Sequence, residues 1–242
     1  MSEVLLRVDG VSKRFGGFTA LEGISVDIRP GERFGLIGPN GSGKTTLINC
    51  ISGVLPSDGG SIRFDGYDIT RLPAYKRTRR GIARSFQVPR PFRSMTVLEN
   101  LLVAIDFAVV GHGLSTRQAD DEVFAILEKI GLADKAHISS GQLSQVELRK
   151  MELARAMAAR PKLLISDEAM AGLAGSEVDE VLDVLLKLNA EGITVIMIEH
   201  IMQAVMRFSE RVMCLDAGRI ICEGTPQAVM NDKRVQEAYL GA

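Results

Sequence analysis

The stretch Gly38-Pro39-Asn40-Gly41-Ser42-Gly43-Lys44-Thr45-Thr46 constrains this chain most. It fits G-x-x-x-x-G-K-[ST], and its surroundings fit as well. Residues 34–37 read as a short buried strand, and residues 45–51 start a helix. A glycine-rich turn between strand and helix aims successive backbone N–H groups at one point. The helix N-terminus adds partial positive charge there, so the site suits an anion. Lys44 would reach the β- and γ-phosphates of a nucleotide, and the Thr45 hydroxyl would ligate Mg²⁺. A glycine turn with a solvated lysine is the bland alternative, and it leaves the flanking strand and helix unexplained.

At 242 residues the chain is long for one compact domain and short for two, which predicts one core carrying an insertion. A hydrophobic fraction of 46% with 24% charged residues is that of an ordinary soluble globular protein. The net charge of −1 gives no overall pull toward nucleic acid or anionic lipid. No leader is read at Met1-Ser2-Glu3, and the longest apolar runs, 101–110 and 193–198, are too short to span a bilayer. The expectation is a chain that stays in the cytosol. Cys50, Cys214 and Cys222 have neither metal-ligand nor disulfide spacing and read as core thiols. If Asp216 faces Arg219 and Cys214 faces Ile221 across a turn at Ala217-Gly218, Cys222 points away from Cys214.

Residues 4–8, 24–28 and 61–65 read as strands, with Pro30-Gly31 and Asp65-Gly66 as turns, so the front part is antiparallel and β-rich. Helical spacing follows at Leu98, Leu101, Leu102 and Ile105, and again at Val123, Phe124, Ile126, Leu127 and Ile130. Gly111-His112-Gly113 separates the two helices, and His112 reads as a loop residue. A helix runs from Ser144 to Ala159, then a strand over 162–166. Val178, Val181, Leu182, Leu185 and Leu188 mark another helix, with Ser176-x-x-Asp179 as its capping box. A buried strand at 193–198, a hairpin at 211–223 and a helical tail complete the chain. Residues 71–93 contain Arg71, Lys76, Arg77, Arg79, Arg80, Arg84, Arg90 and Arg93 and no acid. A solvated face, a docking surface for a partner and a nucleic-acid patch are all compatible with that pattern. The few interleaved aromatics, Tyr75, Phe86 and Phe92, and the balanced charge elsewhere disfavour nucleic acid.

Leu163-Leu164-Ile165-Ser166-Asp167-Glu168 is an apolar strand ending in two acids. On a parallel sheet the carboxyl ends of strands face the ligand crevice. Asp167 could hold Mg²⁺ opposite Thr45, and Glu168 could polarise an attacking water. Residues 193–198 likewise end in Glu199-His200, and His200 could contact a γ-phosphate. Each feature is weak alone; in this order after the glycine loop they reinforce one another.

With these motifs in place, the whole chain resembles an ABC-type ATPase subunit, and specifically the branched-chain amino acid importer group. The resemblance is carried by Val11-Ser12-Lys13-Arg14-Phe15-Gly16-Gly17, Phe86-Gln87-Val88-Pro89-Arg90-Pro91-Phe92, Met95-Thr96-Val97-Leu98-Glu99-Asn100, Asp167-Glu168, Ile198-Glu199-His200 and Ala238-Tyr239-Leu240-Gly241. It implies an α/β fold: a P-loop, RecA-like core over 1–93 and 160–242, with an antiparallel β subdomain and a helical insertion at 94–159. It further implies that Phe15 stacks on adenine, by about 1–3 kcal/mol, and that Gln87 touches Mg²⁺ and water. Glu168 would be the general base and His200 the switch histidine. Implied partners are a second ATPase subunit, a membrane permease met near the basic 71–93 segment, and indirectly an extracytoplasmic binding protein. The chain would then sit on the inner face of the cell membrane. The rival reading is a soluble ABC-type ATPase serving an assembly such as iron–sulfur cluster biogenesis.

The departures from the family pattern concern the signature motif Leu-Ser-Gly-Gly-Gln. Ser140-Gly141-Gln142 lies too far ahead of Ala154-Arg155-Ala156, and the in-register stretch is Leu143-Ser144-Gln145-Val146-Glu147. Ser144-x-x-Glu147 is also a capping box. An ionised Glu147 would repel a γ-phosphate by roughly 2 kcal/mol at ~8 Å and an effective dielectric of 20. Glu147 is therefore expected to point away, leaving Ser144 and the helix N-terminus to contact the partner's ATP. Ala169 replaces the proline usual after the acids, and Ala174-Gly175 stands where the family has Asp or Asn before Pro. That puts communication between two ATP sites in question.

Overall fold

The computed structural model describes residues 4–86, 89–108 and 115–240. Gln87, Val88, the Gly111-His112-Gly113 break and Gly241 lie outside the described residues. Strands β1 (Leu6–Phe15) and β2 (Phe18–Ile28) form a hairpin. Both are longer than the sequence pattern predicts, because register shifts after Val8, Val11 and Lys13 break the alternation without ending the pairing. β3 (Arg33–Ile37) enters the glycine loop and helix α1 (Lys44–Ser52). β4 (Gly59–Phe64), β5 (Tyr67–Asp68), α2 (Ala74–Thr78) and β6 (Ile82–Ser85) follow. Three longer helices, α3 (Val97–Ala108), α4 (Thr116–Ile130) and α5 (Gln145–Met157), separate β6 from β7 (Leu163–Asp167). The chain continues through α6 (Gly175–Ala190), β8 (Thr194–Ile198), α7 (Met202–Phe208), β9 (Arg211–Asp216), β10 (Arg219–Gly224), α8 (Pro226–Met230) and α9 (Lys233–Leu240).

The strands make an antiparallel sheet ordered β2-β1-β4-β5 and a six-stranded sheet ordered β10-β9-β3-β8-β7-β6. The second sheet is parallel from β9 to β6, with β10 antiparallel at its edge. Every residue of β7 and β8 is buried, as continuous apolar runs covered on both faces require. Helix α1 is packed between the sheets: Leu47, Ile48 and Ile51 share a core with Leu6, Val8 and Phe64 on one side and Ile165, Ile196 and Ile198 on the other. The opposite face of the parallel sheet, through Leu164, Val195 and Met197, packs on α3 to α6. Leu36 and Asp167 both pair with Ile198, so the carboxyl ends of β3, β7 and β8 lie side by side.

Three local expectations are corrected. Arg77, in the basic segment, is not a surface charge: it is 2% exposed. Its guanidinium donates to the carbonyls of Cys50 (2.6 Å), Ile51 (2.8 Å), Leu72 (2.8 Å) and Thr70 (3.0 Å). A cation there closes the negative end of α1 and satisfies orphan carbonyls. Arg77→Met should therefore lower unfolding free energy by about 3 kcal/mol, because buried acceptors lose their donor. A urea midpoint unchanged from the parent would contradict that role. Cys222, second, sits opposite Cys214 rather than beyond it, since a register shift between Ile220 and Cys222 accommodates an extra residue. Both thiols are free; Cys214 is buried and Cys222 partly so. Third, α6 starts one residue before Ser176, with Ala174 at the cap. Glu177 reaches back to the Ala174 N–H at 3.0 Å, while Asp179 pairs with Arg207.

Candidate functional site

The glycine loop leaves β3 at Gly38, whose φ is 146°. A Cβ there would lie 2.1 Å from the Leu215 carbonyl oxygen. At Gly43, φ 106°, a Cβ would meet the Ala20 carbonyl oxygen at 2.7 Å. Only glycine fits either position. The loop is braced from three distant elements. Gly218, in the β9–β10 turn, donates its N–H to the Ser42 carbonyl at 3.0 Å, and its own carbonyl accepts from Glu22 N–H on β2 at 2.9 Å. The Gly38 N–H donates to the Tyr239 hydroxyl of α9 at 2.7 Å.

Lys44 is buried, and its ammonium donates to the carbonyls of Gly38 (2.6 Å) and Pro39 (3.0 Å). Burial lowers its pKa, opposed by the nearby Glu168 and Asp167 carboxylates. A cavity of about 260 Å³ opens over the loop. Its lining includes Asn40, Gly41, Ser42, Gly43, Lys44, Thr45 and Thr46, together with Phe15, Phe18 and Glu168. Phe15 is 47% exposed, with Lys13 Nζ 5.6 Å from its ring centroid, so a flat face borders the phosphate loop. Phe18, still more exposed at 62%, joins it across the hairpin and carried no motif signal in the sequence.

The acids at the end of β7 divide the work. Asp167 is buried and its Oδ2 accepts from Arg84 Nη2 at 2.5 Å; Arg84 also donates to Asn49 Oδ1 of α1 at 2.6 Å. Arg84 is thus a second basic-segment residue that serves the interior. Thr45 and Asp167 border a second cavity, of about 930 Å³, that runs between α1, α2 and α5. No three His, Cys, Asp or Glu side chains converge on a metal position among the described residues. A hydroxyl and one carboxylate beside a phosphate loop nevertheless suit Mg²⁺, which keeps waters and phosphates as most of its ligands.

Glu168 adopts positive φ, 49°, an uncommon conformation for a side chain of that size. Its N–H donates to the Ile198 carbonyl at 2.9 Å, and its Oε1 lies 2.8 Å from His200 Nε2. The structure therefore brings Lys44, Glu168 and His200 to one end of the sheet. Glu199, next to His200, turns inward instead: it is 2% exposed and its Oε1 accepts from the Met170 N–H at 2.9 Å. Burial pushes its carboxyl from an ordinary 4.5 to about 7, partly offset by the N–H groups of Met170 and His200. The folded state then binds more protons than the unfolded one between those values. Stability from this group is present in full below about 4.5 and lost as the pH rises to about 7, at most about 3 kcal/mol. Glu199→Gln should flatten that decline; denaturant midpoints that fall equally from pH 5 to 8 in both proteins would contradict it.

Ser144 caps α5 away from these cavities. Its hydroxyl accepts from Glu147 N–H at 3.4 Å, and its N–H donates to Glu147 Oε2 at 2.8 Å. Glu147 also pairs with Lys135, which holds its carboxyl below the usual range. Ser140, in the alternative Ser-Gly-Gln, is fully buried and donates to the Phe92 carbonyl at 3.0 Å, a structural commitment.

A phosphate loop between β3 and α1, flanked by acids at the ends of neighbouring parallel strands, defines a P-loop nucleotide hydrolase. The ABC transporter family matches residues 21–171, and the family described as branched-chain amino acid ATP-binding cassette transporter matches 219–242. The chain belongs to the ABC transporter family, of which it is an ATP-hydrolysing subunit. It is 38% identical over 253 residues to the high-affinity branched-chain amino acid transport ATP-binding protein BraF of Pseudomonas aeruginosa, covering 100% of this chain and 99% of that one. It superposes with TM-score 0.89 and 35% identity on the ADP conformation of an ATP-binding cassette of an ABC transporter, covering 99% of this chain and 100% of that one. A dimeric bacterial ABC transporter cassette is similar at TM-score 0.82 and 26% identity, over 92% of this chain and 99% of that one. No helix among the described residues is long and apolar enough to cross a membrane.

Proposed function

We propose that this chain powers an importer of branched-chain or other hydrophobic amino acids, binding and hydrolysing ATP as one of two nucleotide-binding subunits under a membrane permease. The carrying observation is the 2.8 Å contact of Glu168 with His200 beside the loop that holds Lys44. In this reading the chain is one nucleotide-binding domain, with core 1–93 and 160–242 and a helical subdomain at 94–159. The loop N–H groups and Lys44 bind the phosphates, Lys44 exchanging its two carbonyl partners for phosphate oxygens. Phe15 stacks on the adenine. Thr45 and Asp167, with Gln87, would hold Mg²⁺, which would supply positive charge beside the β- and γ-phosphates. Glu168 takes the proton of the attacking water, and His200 keeps that carboxylate oriented toward the γ-phosphate.

Two features favour a dimer. Ser144 caps a helix N-terminus outside the Lys44 cavity, which supports its serving an ATP held by another chain rather than its own. A related cassette is itself dimeric. The transported class rests on the names of full-length relatives and on the family matched by residues 219–242. The second cavity, with Tyr75, Phe86 and Phe107 among its lining, suits the permease contact. Affinity capture of the tagged chain from solubilised membranes should recover a multi-span permease. A set of purely soluble partners would overturn the importer reading in favour of a cytosolic assembly ATPase.

A further inference from the structure

The turn carrying Glu168 is clamped by two buried ionisable side chains from different elements. After Glu168 the chain makes two consecutive tight turns, with Ala171 N–H on the Glu168 carbonyl at 3.1 Å and Leu173 N–H on the Met170 carbonyl at 3.1 Å. Glu199, from the end of β8, holds the Met170 N–H at 2.9 Å. From the other side, Arg149 of α5 is buried and donates through Nη2 to the Ala171 carbonyl at 2.9 Å. Gln145, also on α5, places its Nε2 2.9 Å from where a Cβ on Gly172 would stand, so the first turns of α5 rest directly on this loop. Arg149 comes five positions after the cap Ser144, about 7.5 Å along a rigid helix. One helix and one hydrogen bond thus join the Ser144 end to Ala171. The start of α6, Ala174-Gly175, has no polar side chain to carry such a signal.

We propose that Arg149 is a positioning residue that ties the Glu168 turn to the helix starting at Ser144. Contact of that helix with the partner's ATP then sets the orientation of this chain's own base. The proposal rests on the reading above, in which Glu168 is the base and Ser144 meets the second ATP. In this proposal Arg149 acts through the Ala171 carbonyl, which accepts from its Nη2 at 2.9 Å.

The test uses the full-length chain with Mg²⁺ and ATP. Arg149→Met removes the donor and keeps an unbranched stem, and Arg149→Lys keeps a cationic donor. Arg149→Met should lower kcat by about 10- to 100-fold, the range expected when a base is held slightly out of place. Its KM, and its affinity for a fluorescent ATP analogue, should stay within about threefold of the parent. Arg149→Lys should recover most of the loss. A kcat within about threefold of the parent, or KM and kcat worsening together with the thermal midpoint, would overturn the proposal. Should Arg149→Met fail to fold, hydrogen exchange on the Glu168→Gln chain decides. With ATP, residues 144–149 and 168–173 should gain protection together, and protection confined to 144–149 overturns the coupling. Full turnover in Glu168→Gln would sink the assignment of the base, and the proposal with it. Lost turnover in Glu168→Gln beside normal turnover in Arg149→Met sinks the coupling alone.

Discussion

Glu168→Gln should lower steady-state ATP turnover by about 10²–10⁴, the usual contribution of a positioned general base, while leaving ATP binding intact. Glutamine is nearly isosteric, and its amide oxygen can still face His200 Nε2, now 2.8 Å from Glu168 Oε1. The backbone of the turn is untouched, because Glu168 N–H is held by the Ile198 carbonyl at 2.9 Å. What disappears is the lone pair able to accept a proton. Lys44 also loses a favourable charge from Glu168 but keeps its carbonyl partners. The expected phenotype is ATP bound and unhydrolysed, with a longer-lived closed dimer. Phosphate release and size-exclusion chromatography in ATP check both halves, and a turnover equal to the parent's would remove Glu168 from the role of base.

Lys44→Ala should weaken ATP binding by about 10²-fold or more. A hydrogen bond to a charged group contributes about 1.5–3 kcal/mol; if the ammonium meets two phosphates, as proposed, about 3–6 kcal/mol is at stake. The side chain is buried at the base of the loop, where nothing else among the described lining residues of this cavity carries a positive charge. Alanine removes that charge without disturbing the glycines, whose close approaches to Leu215 and Ala20 are set by the backbone. Isothermal titration with ATP and Mg²⁺ measures the effect. Affinity within about threefold of the parent would mean that loop N–H groups alone bind the phosphates. The two substitutions separate binding from chemistry: Lys44→Ala acts on the affinity, Glu168→Gln on kcat.

Much of this site is legible in the chain itself. The glycine loop, the acids after residues 163–166 and the Glu199-His200 pair each sit at the end of an apolar run, and such runs become buried strands whose carboxyl ends converge. The alternation of strands and helices after residue 160 is likewise local in origin. Local pattern misled where pairing or burial depends on residues elsewhere in the chain. In β1, bulges interrupt the period of two, so a strand of 10 residues looks half its length. At Cys222 a single extra residue changes which side chains face one another. The basic run at 71–93 reads as surface because a buried arginine and an exposed one have the same letter. Only the position of the Cys50, Ile51, Leu72 and Thr70 carbonyls makes Arg77 an interior residue.

The sequence by itself determined where the glycine loop stands, which acids end the neighbouring strands and which family the motifs resemble, because those depend on residues close together along one strand, turn or helix start. The tertiary structure alone decided how these groups are held. Arg84 was assigned to Asp167, Arg149 to Ala171, Glu199 to Met170 and Tyr239 to Gly38 by contacts spanning 83, 22, 29 and 201 positions. No spacing rule links such pairs, since their meeting depends on how two sheets and the helices between them pack. The glycine loop of residues 38–46 is thus written in the chain, and the frame that keeps it, its base and its neighbouring helix in register is a product of the fold.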